Sequence, residues 1–187
     1  MLVLIILVVI LVVLGFMLVG TYNRLVALRQ NANQAFADID VQLKQRQDLV
    51  PNLVETVKGY AAHEKTTLEA VTNARAAAAS ATGVQDRVQA ENALTGALRQ
   101  LFAVAEAYPD LKANASFIQL QNELTDIENK LAAARRFFNN AVAEFNAAIQ
   151  QFPAVLIAAP FGFGARTFFD LGEDRSAAEA APQVKFS

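Results

Sequence analysis

Residues 2–20 form nineteen consecutive positions with no charged side chain, no amide and no hydroxyl, and this run constrains the chain more than any other feature. An α-helix rises 1.5 Å per residue, so the run is about 28 Å long and matches the hydrocarbon thickness that one membrane crossing must span. Each central Leu, Ile, Val or Phe favours insertion by about 0.3 to 0.6 kcal/mol. The run therefore predicts a single transmembrane helix over residues 1–20.

A cleavable secretory signal is the alternative interpretation of this apolar N-terminus. Such a signal has a basic residue before the apolar stretch, an apolar length of about 7–15 residues and a small-x-small cleavage site. Here no Lys or Arg precedes the run, the run is longer, and Met17, Leu18 and Val19 do not form a cleavage site. We therefore expect the helix to be retained as an anchor.

The remainder, about 165 residues, has the size and composition of one helical domain. All 16 Lys and Arg and all 18 Asp and Glu lie here, interspersed and nearly balanced. A nucleic-acid-binding domain normally has a basic stripe, so we predict no nucleic-acid partner. Alanine is abundant, Pro and Gly are scarce before Pro153, and no alternating β-branched stretch occurs, so this part is predicted to be all-α.

Apolar residues at 3-4 spacing, together with helix-breaking residues, predict four helices after residue 20. The first continues from the anchor without a break to about residue 48, because Pro51 should end or kink it near Leu49. The second is predicted from Pro51 to about Ser80, and the third from Val84 to about Tyr108. Packed antiparallel at about 20°, the helices predict a four-helix-bundle-like domain over residues 21–150.

The fourth predicted helix carries a strict heptad pattern. Ser116 followed by Gln119 is typical of a capping box, which would begin this helix. Large apolar residues then recur every seven positions, and a Leu, Ile or Ala stands three positions after each of the first five, as in a coiled-coil seam. The first set is Phe117, Leu124, Leu131, Phe138, Phe145 and Phe152, and the second is Leu120, Ile127, Ala134, Ala141 and Ala148.

Residues 152–169 are strongly apolar but carry Pro153, Pro160, Gly162 and Gly164, so they cannot form a second spanning helix. Two interpretations remain open. The segment either folds back and buries its phenylalanines against the bundle, or leaves an apolar patch for a second copy, a partner or the membrane surface. With the tail at residues 171–187 it is predicted as an irregular C-terminal region, residues 151–187.

No complete metal site is encoded. His63-Glu64 is followed by Lys-Thr-Thr-Leu instead of the second histidine of HExxH, and the chain has no other His and no Cys. Asp38-x-Asp40 lacks the glycine and the twelfth-position glutamate of a calcium loop. We therefore predict no metal-binding residue, and expect His63 to have a structural or surface role.

No catalytic arrangement is encoded either. Glu64 with Glu69, and Glu123 with Glu128, are five residues apart, which does not place either pair squarely on one helix face. The four serines lack a G-x-S-x-G turn, and the glycines at 162 and 164 do not open a helix after a strand. We therefore predict no catalytic residue, no cofactor-binding residue, no cofactor and no enzyme activity.

Two sets of polar residues invite a non-catalytic role. The polar residues between positions 42 and 48, all except Leu43, are predicted to form a solvated helix face, with binding of a partner near the membrane surface as the alternative. Asparagine is a mediocre helix former, so repeated asparagines within helices predict compensating hydrogen bonds, which we expect between helices. These are Asn23, Asn31, Asn33, Asn139, Asn140 and Asn146.

Residues 39–64, IDVQLKQRQDLVPNLVETVKGYAAHE, resemble the signature of the LemA family of bacterial membrane proteins. Shorter matches lie on both sides of this stretch. They are at residues 22–23 (YN), 71–75 (VTNAR), 108–114 (YPDLKAN), 128–129 (EN), 134–136 (ARR) and 182–186 (PQVKF). The chain departs from the pattern at Phe137-Phe138-Asn139, where many relatives have a tyrosine beside the asparagine. The resemblance implies an N-terminal transmembrane helix, a helical bundle, no established enzyme activity and a role in membrane-associated assemblies, which in this family include magnetosome membranes.

These observations predict a single-pass, membrane-anchored helical scaffold or interaction protein, which forms homo-oligomers or binds a membrane-protein partner. A signalling or ligand-binding receptor is the alternative, and a polar cavity inside the bundle would favour it. A membrane hydrolase ranks third, because it needs a titratable cluster that the sequence lacks. Arg24 and Arg29 follow the anchor and no basic residue precedes it, which predicts a bacterial cytoplasmic membrane protein with its bundle in the cytoplasm.

Overall fold

The computed structural model describes residues 1–169, and every regular element within them is helical. The helices are α1 (Leu2–Lys58), α2 (Lys65–Ser80), α3 (Val84–Ala105), α4 (Pro109–Lys112), α5 (Ala115–Ala148) and α6 (Ala154–Ala158). The all-α prediction is therefore confirmed. The predicted tail, residues 171–187, lies outside the described residues.

The apolar run and the polar stretch after it form one helix, α1, which is 57 residues long. The prediction of a continuous helix across their junction is confirmed. The large apolar side chains of residues 2–19 are 42% to 76% exposed, so no described part of the chain covers them. Within residues 1–169, α1 is the one helix long enough and apolar enough to cross a membrane.

The sequence predicts that Pro51 ends or kinks the first helix near Leu49, and the first of these alternatives is wrong, because Pro51 lies inside α1. A proline there lacks the N–H that would bond to the carbonyl oxygen of Gln47 four residues earlier. Arg75 of α2 donates from Nε to that same oxygen at 2.9 Å, so the acceptor that proline leaves open has a partner. α1 therefore continues to Lys58, and the next long helix begins at Lys65 and not at Pro51.

This compensation is testable with a double-mutant cycle. We expect Arg75→Leu to lower the free energy of unfolding by about 1.5–3 kcal/mol, the range for a charge-assisted hydrogen bond. The loss should be clearly smaller in a Pro51→Ala background, because alanine supplies the missing N–H. Urea unfolding of the four detergent-solubilised chains measures the coupling. Equal losses in both backgrounds would contradict this role of Arg75.

The start of α5 corrects the predicted capping box. Asn114 is the capping residue, since its Oδ1 accepts a hydrogen bond from the backbone N–H of Phe117 at 3.0 Å. Ser116 instead lies inside the helix. α5 also ends at Ala148, four residues before Phe152, which is 74% exposed. The other five members of the main seam, at residues 117, 124, 131, 138 and 145, are all buried as predicted.

The chain divides into two compact units. The first unit consists of Met1–Asp40 and Ala132–Phe168, and the second consists of Val41–Leu131 together with Phe169. In the second unit, α2, α3 and segments of α1 and α5 surround one apolar core, so four-helix packing is observed there. That core includes Val50, Leu53, Val57, Leu68, Val71, Leu94, Leu98, Leu101, Phe117 and Leu124. The predicted division at residues 20 and 150 stays a prediction.

The first unit has a smaller core, to which residues 152–163 contribute. Ala154, Ala158 and Phe163 are buried with Leu25 of α1 and Phe145 of α5. The segment therefore folds back on its own chain, as one of the two interpretations predicted. Part of it nevertheless stays exposed, including Phe152, Val155, Leu156 and Phe161.

Candidate functional site

An ion pair lies inside the core of the second unit. Arg46 of α1 is 1% exposed and Glu91 of α3 is 2% exposed, and Arg46 Nη1 lies 3.2 Å from Glu91 Oε2. Removing a charge from water costs several kcal/mol unless close partners and hydrogen bonds compensate. The two buried charges therefore need further hydrogen-bond partners to compensate for the water that they have lost.

That network links several helices of the second unit. Arg46 Nη2 donates to Thr95 Oγ1 at 2.8 Å and lies 3.1 Å from Glu128 Oε1 of α5. Gln47 Nε2 donates to Glu91 Oε1 at 3.0 Å, so both carboxylate oxygens of Glu91 are paired. We call Arg46, Gln47, Glu91, Thr95 and Glu128 the buried polar cluster. The cluster joins α1 to α3 and α5. A separate hydrogen bond, from Arg75 to the Gln47 carbonyl oxygen, joins α1 to α2.

The predicted solvated face at residues 42–48 is corrected by this cluster. Lys44, Gln45 and Asp48 are exposed as predicted, whereas Arg46 and Gln47 are buried. Sequence reasoning missed them although a signal exists. The buried stripe of α1 runs through Ile39, Leu43, Arg46, Val50 and Leu53 at 3-4 spacing, and Arg46 occupies one of its positions.

A cleft of about 330 Å³ reaches the buried polar cluster from the surface of the second unit. This volume is at the lower end of the range for small-molecule sites. Its walls come from α3 and α5, and both polar and apolar side chains line it. Besides Arg46, Thr95 and Glu128, they are Leu98, Arg99, Phe102, Gln121, Leu124 and Thr125.

The residues weighed as metal or acid sites do not come together into one centre. His63 is exposed in the connection between α1 and α2, and Asp38 is exposed on α1. Among the residues that the structure describes, no group of three or more His, Asp or Glu side chains could hold a metal ion. Glu64 accepts a hydrogen bond from the Tyr108 hydroxyl at 3.2 Å, which raises the pKa of Tyr108 above its ordinary value.

Two of the predicted asparagines are bonded to the segment that follows α6. Asn146 donates to the backbone oxygen of Arg166 at 2.9 Å and accepts from its backbone N–H at 2.8 Å. Asn33 Oδ1 accepts from the Arg166 guanidinium, while burial and the nearby Arg29 charge lower the pKa of Arg166. These amides therefore do compensate with hydrogen bonds, but to a returning segment and not from helix to helix.

These features define an all-α protein whose N-terminal helix is suited to a membrane and whose helical core contains a buried ion pair. The model of the LemA family matches residues 35–186. The chain belongs to the LemA family.

Two relatives illustrate the breadth of the similarity. The magnetosome protein MamQ of Magnetospirillum gryphiswaldense is 25% identical over 174 residues, which cover 79% of this chain and 64% of the relative. Protein LemA of Metamycoplasma hominis is 28% identical over 142 residues, which cover 73% of this chain and 63% of the relative. The chain thus spans less than two thirds of the length of either relative, and neither name is that of an enzyme.

Proposed function

We propose that this protein is a single-pass, membrane-anchored interaction protein that acts by assembling with other molecules and not by catalysis. One observation carries the proposal: the exposed apolar stretch of α1 is continuous with the helix that supplies Arg46 and Leu53 to the folded core. More than a dozen exposed Leu, Ile and Val side chains favour insertion by several kcal/mol in total, at about 0.3 to 0.6 each. Lipid is the environment that covers such a stretch.

Self-assembly is the proposed mode of interaction. Large apolar side chains remain exposed outside the anchor, among them Val41 at 52%, Ile118 at 43% and Phe137 at 51%. A second copy or a membrane-protein partner that covers such side chains would remove their apolar surface from water, which is favourable. The similarity to a protein named for the magnetosome supports a role within a larger assembly.

The proposed location is the bacterial cytoplasmic membrane, with the helical units in the cytoplasm. Arg24 and Arg29 lie within ten residues of the end of the apolar run. Basic residues flanking a transmembrane helix are enriched on the cytoplasmic side. Protease digestion of intact and permeabilised spheroplasts tests the orientation, because only permeabilised cells should then lose the helical units.

The anchor is tested by placing one carboxylate in its centre. We expect Val9→Asp to make insertion less favourable by about 3–4 kcal/mol, so that the chain shifts from the alkali-resistant membrane fraction to the soluble or aggregated fraction. Val41→Asp is the matched control, because Val41 is equally exposed on the same helix but lies beyond the apolar run. Equal retention of both variants in the membrane would contradict the proposed anchor.

Self-assembly is tested on the wild-type chain by light scattering after mild detergent extraction. The proposal expects a protein mass above the 20.2 kDa of one chain. Crosslinking in intact membranes should likewise join the chain to a second copy or to a membrane-protein partner. A strict monomer that retrieves no crosslinked neighbour would overturn the proposed assembly.

The cleft beside the buried polar cluster favours a second candidate function, that of a receptor for a small polar molecule. A ligand in this cleft would touch α3 and α5. Arg46 of α1 bonds to both of these helices, and α1 also contains the proposed anchor. Bound ligand raises the unfolding midpoint by mass action. A metabolite extract that raises the midpoint of the wild type, but not that of the cleft-filling variant Thr125→Trp, would support this candidate over the first.

A further inference from the structure

The segment that contains α6 lies beside the first residues after the apolar run. The Tyr22 ring meets the Phe161 ring edge-on at 5.3 Å between centroids and the Phe163 ring at 5.6 Å. Ala154 and Ala158 share a core with Leu25. Tyr22 and Leu25 stand two and five residues after Gly20, which is about 3 and 7.5 Å along the helix axis.

These axial positions correspond to a defined layer of the bilayer. The hydrocarbon core is about 30 Å thick and the whole bilayer about 40–45 Å, so each interfacial layer is about 5–7.5 Å deep. If α1 crosses the membrane as proposed above, residues 152–163 lie at the level of this layer. The inference therefore rests on the proposed anchor.

The segment has one face in the protein and one face free. Ala154, Ala158 and Phe163 are buried, whereas Phe152, Leu156 and Phe161 are 74%, 62% and 59% exposed. Three bulky apolar side chains within ten residues expose more apolar surface than the single apolar residues that are usual on a protein in water. They resemble the apolar face of an interfacial anchor.

A helix-ending turn holds these side chains in place. The Phe163 N–H bonds to the Ala158 oxygen at 2.8 Å and the Gly162 N–H to the Ala159 oxygen at 3.1 Å. This pair of bonds is a Schellman motif, and it requires the left-handed backbone that Gly162 adopts with a φ of +72°. The turn separates buried Phe163 from exposed Phe161, so the exposed ring is fixed by the fold.

The charges around the segment favour lipid as the covering partner. Residues 21–37 and 145–168 contain no Asp or Glu but include Arg24, Arg29 and Arg166. The Arg29 guanidinium lies over the Phe163 ring at 4.9 Å, and that of Arg166 over the Phe145 ring at 5.8 Å. Aromatic and basic side chains concentrate where proteins meet the headgroup layer, and anionic lipids attract such cations.

We propose that residues 152–161 form a second membrane contact, in which Phe152, Leu156 and Phe161 insert into the boundary between headgroups and acyl chains. The contact lies on the leaflet where α1 leaves the bilayer. It holds the part of the first unit that follows Gly20 against the membrane surface, whereas the anchor alone would leave that part free to tilt. The partner is thus a lipid surface and not a second protein chain.

Fluorescence provides the test, because the chain contains no tryptophan. The full-length variant Phe161→Trp is reconstituted in vesicles of phosphatidylcholine and phosphatidylglycerol whose upper acyl positions are brominated. At an insertion depth of about 5–10 Å, we expect blue-shifted emission and quenching of about half its intensity. Leu156→Trp provides a second reporter of the same contact and should behave alike.

Two further variants complete the experiment. Phe137→Trp is the matched control, since Phe137 is similarly exposed but lies on α5 outside the segment; the brominated lipid should leave its emission unquenched, whether or not a second copy covers that face. Leu11→Trp reports the anchor and should be quenched by bromine at the acyl-chain ends. If Leu11→Trp is quenched while Phe161→Trp and Leu156→Trp behave like Phe137→Trp, the second contact is refuted and the anchor stands. An unquenched Leu11→Trp would overturn both proposals.

Discussion

Glu91→Ala is expected to lower the free energy of unfolding by about 3 kcal/mol, because it leaves the guanidinium of Arg46 buried without its main partner. Arg46 is 1% exposed, so its guanidinium is almost fully removed from water although a cleft lies beside it. Glu128 stays 3.1 Å from Arg46 Nη2, but its side chain is 40% exposed, so it compensates only in part. Urea unfolding of the detergent-solubilised chain, followed by circular dichroism, measures the loss.

Two further variants serve as controls for the Glu91→Ala result. Asp48→Ala removes a carboxylate from the exposed ion pair with Lys44 and should cost less than about 1 kcal/mol. The double variant Arg46→Met with Glu91→Leu replaces the buried pair by apolar side chains and should recover most of the lost stability. A Glu91→Ala chain no less stable than the Asp48→Ala chain would show that Arg46 does not depend on Glu91.

We expect the buried pair to add specificity to the packing of the second unit. Apolar stripes can slide against each other by one turn with modest loss, whereas Arg46 can meet both Glu91 and Thr95 in one register only. A displaced register would leave buried charges unpaired, at a cost of several kcal/mol. We infer that the cluster selects the relative register of α1 and α3, and the double variant should therefore be stable but less cooperative in unfolding.

The elements that sequence predicts well are those that depend on local pattern alone. The apolar run, the limits of α2 at Ser80 and of α3 at Val84, and the buried seam of α5 all follow from spacing within one segment. The capping residue of α5 differs from its prediction by two positions, because Asn and Ser are almost equally good caps. Local preferences do not decide between Asn114 and Ser116.

The elements that sequence misses depend on distant partners. Pro51 breaks an isolated helix, and only Arg75, 24 residues further along the chain, supplies the bond that lets α1 continue. Arg46 is likewise predicted to be solvated from its own helix alone, because its partner Glu91 lies on a different helix. The signal is a pair of opposite charges, one on the apolar stripe of each of two helices. A pattern read from one helix at a time does not detect such a pair. Glu91 does lie three residues before Leu94 on the buried stripe of α3.

The heptad seam of α5 yields the second large effect. Phe138 is 3% exposed and its ring packs against Phe36, with 5.4 Å between ring centroids. Phe138→Ala removes most of a buried aromatic side chain and leaves a cavity, so we expect the free energy of unfolding to fall by about 3–5 kcal/mol. The measurement is thermal or urea unfolding of the full chain in detergent.

The neighbouring phenylalanine is a control of the same size and chemistry. Phe137 is 51% exposed, because one residue along an α-helix turns the side chain by about 100°. Phe137→Ala should therefore change the free energy of unfolding by less than about 1 kcal/mol, while reducing the mass of any self-assembled species that uses this outer face. Similar losses for the two variants, or a larger loss for Phe137→Ala, would mean that α5 is rotated from the orientation that buries its seam. Such a result would remove the structural basis on which the outer face of α5 is offered for assembly.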